Sequence, residues 1–525
     1  MFRSGVCRTV NLTFYDGTGC IGGNKILLEA GGAALLLDFG TNFGAEAEFF
    51  DEFLRPRSAF GIGDLMELGL LPPLRRAYRE DLQPPGFSWD ELRGHPEYSE
   101  VEPAGVLLSH AHVDHTGYVS YLRGDIPVYA SLTTAVIVKA MQDTARSEVS
   151  REACYLTPRE LKEGLLQAAY RQVPAEQRRF AVLDAGEVIS RVTDFWAASP
   201  SSRGLNPKPL TAYTGSTNVG GLEVRCWHVD HSIPGATAFG VRTPAGWVVY
   251  TGDFRLHGGR AELTRDFMRE AGELRPLALI CEGTRPDEVG PATEEEVRTN
   301  VCEAVRSATG LVVADFGPRN VERLLSFLAA AKEAGRRLAV MTKDAYLLEA
   351  LYMAGEPGVP DPTKEPGLAV YVEAKARRDR WEKEMLDQYA ALYPERLVTA
   401  RDVGRDPAGY VLCFSYYELN ELISIGVYGG TYVYSSCEPF NEEMRIDFNR
   451  LLSWIRHFRL DFCGGESSRF HASGHVHGPG LEELVAVVQP EFLIPVHTET
   501  PGFFKRFEST CRVVIPEKGQ TLVLG

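Results

Sequence analysis

The sequence predicts an α/β protein in which a β/α unit with its own parallel sheet is inserted into a larger, β-rich body. Three observations carry this. Short alternating or apolar runs bounded by glycine recur through the first 285 residues. From residue 286 the texture changes to strand, helix, strand, the pattern of a parallel sheet. Gly464-Gly465 then marks a return, and the chain ends in strands. The expected division is 1–285, 286–463 and 464–525, with the first and last parts forming one body.

The elements follow in order. Residues 10–14 alternate, a glycine-rich turn spans 17–23, and apolar runs at 25–29 and 33–37 lead to Asp38. Residues 45–100 are charged and proline-rich, with helices expected at 64–70 and 74–81, and form a cover over one face. A strand at 105–108 delivers the chain to Ser109-His110. Ala135, Val136, Val138, Ala140 and Met141 suit one helix. Leu161, Leu165, Leu166 and Ala169 suit another, N-capped by Thr157. Strands are expected at 222–227, 238–242, 247–251 and 277–281. The inserted unit opens with a strand at 311–315, a helix at 321–333, a strand at 337–341 and a helix at 345–353. Strands at 492–496, 512–515 and 521–524 close the chain.

Composition narrows the classes. With 525 residues, 44% hydrophobic and 24% charged, the chain has the balance of a soluble globular protein. A net charge of −16 argues against a broadly basic nucleic-acid coat, though not against a local channel. No apolar run approaches the ~20 residues that cross a membrane, and the N-terminus lacks the apolar stretch of a signal peptide. Ten cysteines without a CxxC pair read as free thiols of a reducing compartment, so a cytoplasmic location is expected.

Histidine placement is the strongest chemical signal. Nine of the 12 histidines lie in short clusters at 110/112/115, 228/231, 471/475/477 and 497. In His110-Ala111-His112-Val113-Asp114-His115, strand alternation points His110 and His112 the same way, and Asp114 and His115 follow where the chain turns. Four metal-capable side chains in six residues can serve two adjacent ions, Zn²⁺ or alternatively Mn²⁺. His231 near a turn, which alone is more often structural, Asp253 after a strand, which suits either a cap or a carboxylate bridging two metals, and His497 after the apolar run 492–496 follow. His228 reads as structural, and His95, His257 and His477 carry no assigned role.

The order of Asp38, HxHxDH, a lone histidine and Thr251-Gly252-Asp253-Phe254 resembles the metallo-β-lactamase superfamily. Glu282 in Cys281-Glu282-Gly283-Thr284, His475 in His471-Ala472-Ser473-Gly474-His475 and His497 in Pro495-Val496-His497 resemble the three motifs of the β-CASP nucleases. The runs His231-Ser232-Ile233-Pro234, His471–His475 and 495–499 look most like ribonuclease J and its archaeal relatives, over nearly the whole chain. The resemblance implies an αββα sandwich, residues 1–285 and 464–525, carrying an inserted β-CASP domain, residues 286–463. It implies one metal on His110, His112 and His231, a second on Asp114, His115 and His497, and Asp253 between them. Asp114 would also orient an attacking water that the ions acidify. His475 would contact the scissile phosphate and protonate the leaving oxygen, and Glu282 would orient a histidine. Asp38 would be structural.

His471, Ser473, Ser435 and Ser436 are candidates for holding substrate, as is Arg319-Asn320 beside an expected helix start. The basic run 375–380 reads as a solvated helix face. Phe316, Tyr416, Tyr417 and Phe440 could stack bases, though any one alone suits a core. The implied activity is a zinc-dependent ribonuclease, a 5′→3′ exonuclease with room for endonuclease action, on single-stranded RNA. A single-stranded DNA nuclease of repair or defence is the alternative. No membrane partner is implied, and a homodimer is compatible. The chain departs from the family where it stops soon after the last histidine strand, in the segments 45–100 and 140–210, and at Phe414-Ser415-Tyr416-Tyr417.

Overall fold

The computed structural model describes residues 9–525 apart from 171, 185–186, 202, 318, 440–441 and 466–467. Val10–Asp16, Lys25–Ala30 and Ala33–Leu37 form an antiparallel meander. Their apolar runs are continuous because both faces are covered. Leu27 and Leu36 point into one core, while Ile26, Leu28, Leu35 and Leu37 point into another. Gly105–Leu107 and Val128–Ala130 extend this sheet in parallel, and Thr521–Leu524 closes its far edge.

A second, seven-stranded sheet contains Leu222–His228, Thr237–Thr243, Gly246–Tyr250, Ala278–Glu282 and Phe492–Val496. Val224, Phe239, Val241, Val248, Ile280 and Ile494 pack across the shared core against the first sheet. Helix α1 (Leu132–Thr144) covers the outer face of the first sheet. Helix α2 (Ala261–Glu273) and the helix Gly478–Val488 cover the outer face of the second through Phe267, Met268, Leu481 and Leu484.

The strands between residues 312 and 463 make a third sheet in which all seven are parallel. Helices α3 (Glu294–Ser307), α4 (Val321–Glu333) and α5 (Thr342–Met353) bury Val297, Val301, Leu324, Phe327, Leu348 and Leu351 against one face. α3 starts where it does because Thr293 and Glu296 form a capping box. This core runs on into that of α1. There Asp143 accepts from Lys139, Tyr155 and Tyr346 at 2.6, 3.0 and 2.9 Å, so the inserted unit is tied to the first sheet's cover by a satisfied buried carboxylate.

The expectation of an α/β protein holds. Three local expectations do not. The helix expected around Leu161, Leu165, Leu166 and Ala169 is a hairpin, Arg159–Lys162 with Leu165–Ala168. Glu163 and Gly164 take positive φ values of 53° and 80°, the two-residue turn whose twist matches paired strands. The helix expected at 74–81 is broken by Arg76 at φ 75°, leaving the short strand Leu74–Arg75 and a 3₁₀ turn at Glu80–Leu82. The segment nevertheless covers one face, since Ile62, Leu65, Leu71, Leu74 and Tyr78 join the core beneath the first sheet. The basic run 375–380 largely precedes its helix, Arg380–Leu392, and Lys375 pairs with Glu373 and Glu382.

Candidate metal centre

The carboxyl ends of strands from both sheets converge on one cleft. Gly105–Leu107 leads to His110, and the helical turn Val113–Thr116 carries Asp114 and His115. Leu222–His228 leads to His231, Gly246–Tyr250 to Asp253, and Phe492–Val496 to His497, while Ala278–Glu282 ends on Glu282. The backbone approach is close. A Cβ on Gly40 would lie 1.6 Å from the carbonyl oxygen of Asp114, so no larger residue fits there.

His110, His112 and His231 form one group of donors, and Asp114, His115, Asp253 and His497 form a second. Nε2 of His110 and Nε2 of His231 each lie 3.1 Å from Nδ1 of His112. Oδ2 of Asp253 lies 3.2 Å from Nε2 of His115, 3.6 Å from Nε2 of His497, 3.7 Å from Nε2 of His110 and 4.0 Å from Nε2 of His231. Oδ2 of Asp114 is 3.3 Å from Nε2 of His497 and 3.7 Å from Nε2 of His115. Donors about 2.0–2.1 Å from a tetrahedral ion sit about 3.3 Å apart, so these separations suit ligand edges. Nε2 of His115 and both carboxylate oxygens of Asp253 are buried without a hydrogen-bond partner among the described residues. Such orphaned atoms are costly unless a cation fills the space between them. The donor set therefore fits divalent ions, with Asp253 reaching both groups.

Partners behind the donors fix their orientation. Asp38 accepts from the Ser109 amide and hydroxyl at 2.7 Å each, from Tyr250 Oη at 2.6 Å, and faces Nδ1 of His115 at 2.7 Å. It lies behind the cluster, as expected of a structural residue. Nδ1 of His231 lies 2.6 Å from the Gly474 carbonyl, which couples that ligand to the 471–475 loop.

Charge is distributed unevenly. Burial holds His110 and His231 well below the ordinary imidazole value and His112 down to about 3, so all three are neutral, the form that binds metal. Burial also opposes charge on His115, but Asp253, Asp114 and Asp38 outweigh it and raise that ring well above its ordinary value. Asp114 and Asp253 are held below the carboxylate range, against burial, by the neighbouring histidines. His475 is pushed up to about 9, because Glu282 and Asp253 outweigh burial.

Glu282 and His475 meet, with Nδ1 of His475 3.1 Å from Oε2 of Glu282. The remaining oxygen of Glu282 accepts from the Phe254 amide at 2.8 Å. The four substrate candidates form one neighbourhood. The Ser435 hydroxyl is buried and committed to the Phe470 carbonyl and Arg323, the latter at 2.6 Å. Ser436 bonds Asp315 at 3.2 Å, Ser473 accepts from the His475 amide at 3.1 Å, and Nδ1 of His471 faces the Ser435 carbonyl at 3.3 Å. Asn320 caps α4 with its own side chain. Phe316 is buried and stacks on Phe327, Tyr416 and Tyr417 are edge-to-face, and Phe440 lies outside the described residues. His228 pairs with Asp184 at 3.0 Å.

Sequence reasoning missed two features. One is Thr284, whose hydroxyl touches Glu282, His475 and His497. The other is Arg255, two residues beyond Asp253 and fully buried among Asp230, Glu294 and Glu322. A charge immediately after the Asp253 turn was the available signal for the second.

The chain is similar to proteins named ribonuclease J. It is 26% identical to that of Sinorhizobium meliloti over 404 residues, 75% of this chain and 57% of the relative. Against that of Mycolicibacterium smegmatis it is 25% identical, covering 76% of this chain and 58% of the relative. Against that of Helicobacter pylori (strain ATCC 700392 / 26695) it is 20% identical, covering 97% of this chain and 59% of the relative. The chain thus spans less than two thirds of these relatives' length. No family model matches it. Among solved structures, a protein of unknown function from Enterococcus faecalis V583 superposes with a TM-score of 0.67 at 20% identity, over 98% of this chain and 100% of that one. That likeness speaks to fold alone.

Proposed function

We propose that the protein is a metal-dependent ribonuclease of the metallo-β-lactamase/β-CASP kind that hydrolyses phosphodiester bonds of single-stranded RNA from the 5′ end. The observation that carries this is the convergence of seven imidazole and carboxylate donors at ligand-edge distances, three of whose buried atoms have no partner. The two-group division supports two ions, zinc or manganese. The sheet organisation supports a metallo-β-lactamase domain of 1–285 and 464–525 around a β-CASP domain of 286–463. Similarity to ribonuclease J supports RNA as the substrate.

His110, His112 and His231 would hold one ion and Asp114, His115 and His497 the other, with Asp253 shared. Bound there, divalent ions supply Lewis acidity toward phosphate oxygens and acidify water. Exposure separates the remaining roles. The His110, His115, His231 and His497 side chains are 0% exposed, whereas Asp114 is 20% and His475 22% exposed. Asp114 can accept a hydrogen bond from the attacking water. His475 keeps Nδ1 on Glu282 and can deliver a proton from Nε2 to the leaving oxygen. His471, Ser436 and Ser473, the last of which accepts from the His475 amide, would hold the flanking phosphate, with Ser435 bracing the loop. Among the described residues no helix is long and apolar enough to cross a membrane.

The test compares 5′-phosphorylated RNA, 5′-hydroxyl RNA and single-stranded DNA, each labelled at either end. Mononucleotides released from the phosphorylated 5′ end support the proposal. Faster loss of DNA, or no cleavage by zinc- or manganese-loaded protein, overturns it.

A further inference from the structure

We infer that Thr284 is a positioning residue that sets the tautomer of His497 and, through Glu282, that of His475. The inference rests on the metal-centre reading above. Glu282 pairs with Val496 in the parallel register of Ala278–Glu282 and Phe492–Val496, so the residues just beyond both strands lie side by side. The Thr284 hydroxyl lies 2.8 Å from Nδ1 of His497, 2.8 Å from Oε2 of Glu282 and 3.1 Å from Nδ1 of His475.

A hydroxyl has one proton to donate and two lone pairs. The Glu282 carboxylate only accepts, and its Oε2 is the nearer acceptor, since the His497 carbonyl is 3.3 Å away. With the hydroxyl proton on Glu282, the Thr284 oxygen is free to accept. The nearest donor is then Nδ1–H of His497, which leaves a lone pair on Nε2. That lone pair faces Oδ2 of Asp114 at 3.3 Å and Oδ2 of Asp253 at 3.6 Å. Three acceptors face one another, an arrangement that only a cation satisfies. The same Oε2 of Glu282 takes Nδ1–H of His475 at 3.1 Å, which keeps the other ring nitrogen of His475 toward the cleft.

The hydroxyl is suited to this because it can reverse. Without a cation, Nε2–H of His497 can donate to Asp114, and the Thr284 proton turns to Nδ1. The two forms are tautomers: the Nε2 proton leaves to solvent, Nδ1 takes one from solvent, and rotation of the Thr284 hydroxyl from Nδ1 to Glu282 lets its oxygen accept from the new Nδ1–H. A valine of equal shape offers neither state.

The test titrates metal-free wild type, Thr284→Ser and Thr284→Val with Zn²⁺ against a chromophoric chelator. Wild type should bind two ions. Thr284→Val should lose about 10–100-fold affinity for one, the usual cost of losing such a partner, and keep the other, whose ligands His110, His112 and His231 it does not touch. Retention of that ion shows the variant is folded. Thr284→Ser should restore the weakened site. Wild-type binding of both ions by Thr284→Val overturns the inference, as does equal loss by Ser and Val, which would make shape the cause. A wild type that binds no ion overturns the metal-centre reading itself, and this inference with it.

Discussion

Nη1 of Arg255 and Oε1 of Glu294 meet at 2.8 Å with side chains 0% and 3% exposed. Arg255 belongs to the turn that carries Asp253, and Glu294 is the first residue of α3 in the inserted unit. Arg323 of α4 grips the same carboxylate at 2.9 and 3.0 Å, and also binds the carbonyls of Ser435 and Phe470. Arg255 further reaches Asp230, beside His231, at 3.2 Å and Glu322 at 2.7 Å. One buried carboxylate thus joins the metal turn to the inserted unit.

Removing one partner from such a network leaves buried charge uncompensated. Glu294→Ala should cost about 3–5 kcal/mol of stability, far above a typical surface change. Denaturant unfolding of wild type and variant measures this directly. A cost below about 1 kcal/mol, the range of exposed pairs, would contradict it.

His475 lies close enough to Asp253, Glu282 and His497 that these four could themselves surround an ion. Its partial exposure instead suits contact with substrate. His475→Ala should lower the cleavage rate about 10²–10⁴-fold, the usual worth of a general acid, while zinc content by elemental analysis stays at the wild-type value. Loss of an ion in this variant would make His475 a ligand.

How much of this was legible depends on where the signal lies. HxHxDH was readable because ligand geometry demands several donors within one turn, and Asp253 and His497 because each follows an apolar strand. Thr284 was not, because a single hydroxyl has no pattern, and its partners lie 191 and 213 residues away. The hairpin at 159–168 was misread because Leu161 and Leu165, at helical spacing, are 60% and 41% exposed. Their apolar character marks no buried face, so periodicity carried no information there. The strand at 492–496 and the helix at 321–333 were read with the observed bounds, since burial is what their pattern records; the strand at 521–524 also has the expected bounds, although only Leu524 is buried in it.

Ion binding should stabilise the fold, because buried atoms of Asp253 and His115 that make no hydrogen bond among the described residues gain ligand bonds with the cation. At free Zn²⁺ about 100-fold above Kd, the gain is about 2.7 kcal/mol per site. Thermal midpoints with and without chelator should differ accordingly. Asp253→Ala should abolish most of the difference, since that carboxylate reaches both groups.

The turn of the 159–168 hairpin holds Glu163 at φ 53°, where a non-glycine side chain other than Asn or Asp is disfavoured. Glu163→Asn supplies the Asn-Gly pair preferred in such turns. It should slow hydrogen exchange of the paired amides of 159–168, corresponding to about 0.5–1 kcal/mol locally. Faster exchange would show that the turn is held by other contacts.

Asp344 supplies a pH dependence away from the metal centre. Its carboxyl caps α5 through the Met341 amide at 3.3 Å and is almost inaccessible. Burial raises its pKa from 3.8 to about 7. Lys343 opposes the rise, and Glu418 and Glu373 add to it. The folded protein therefore holds a proton there that the unfolded chain has already released above pH 3.8. Linkage then makes this group's contribution full below pH 3.8 and lost as pH rises toward about 7. Asp344→Asn keeps an oxygen for the Met341 amide and cannot ionise. Urea midpoints should show the variant gaining on wild type at pH 8 relative to pH 5. An equal difference at both pH values would mean that the carboxyl titrates alike in both states.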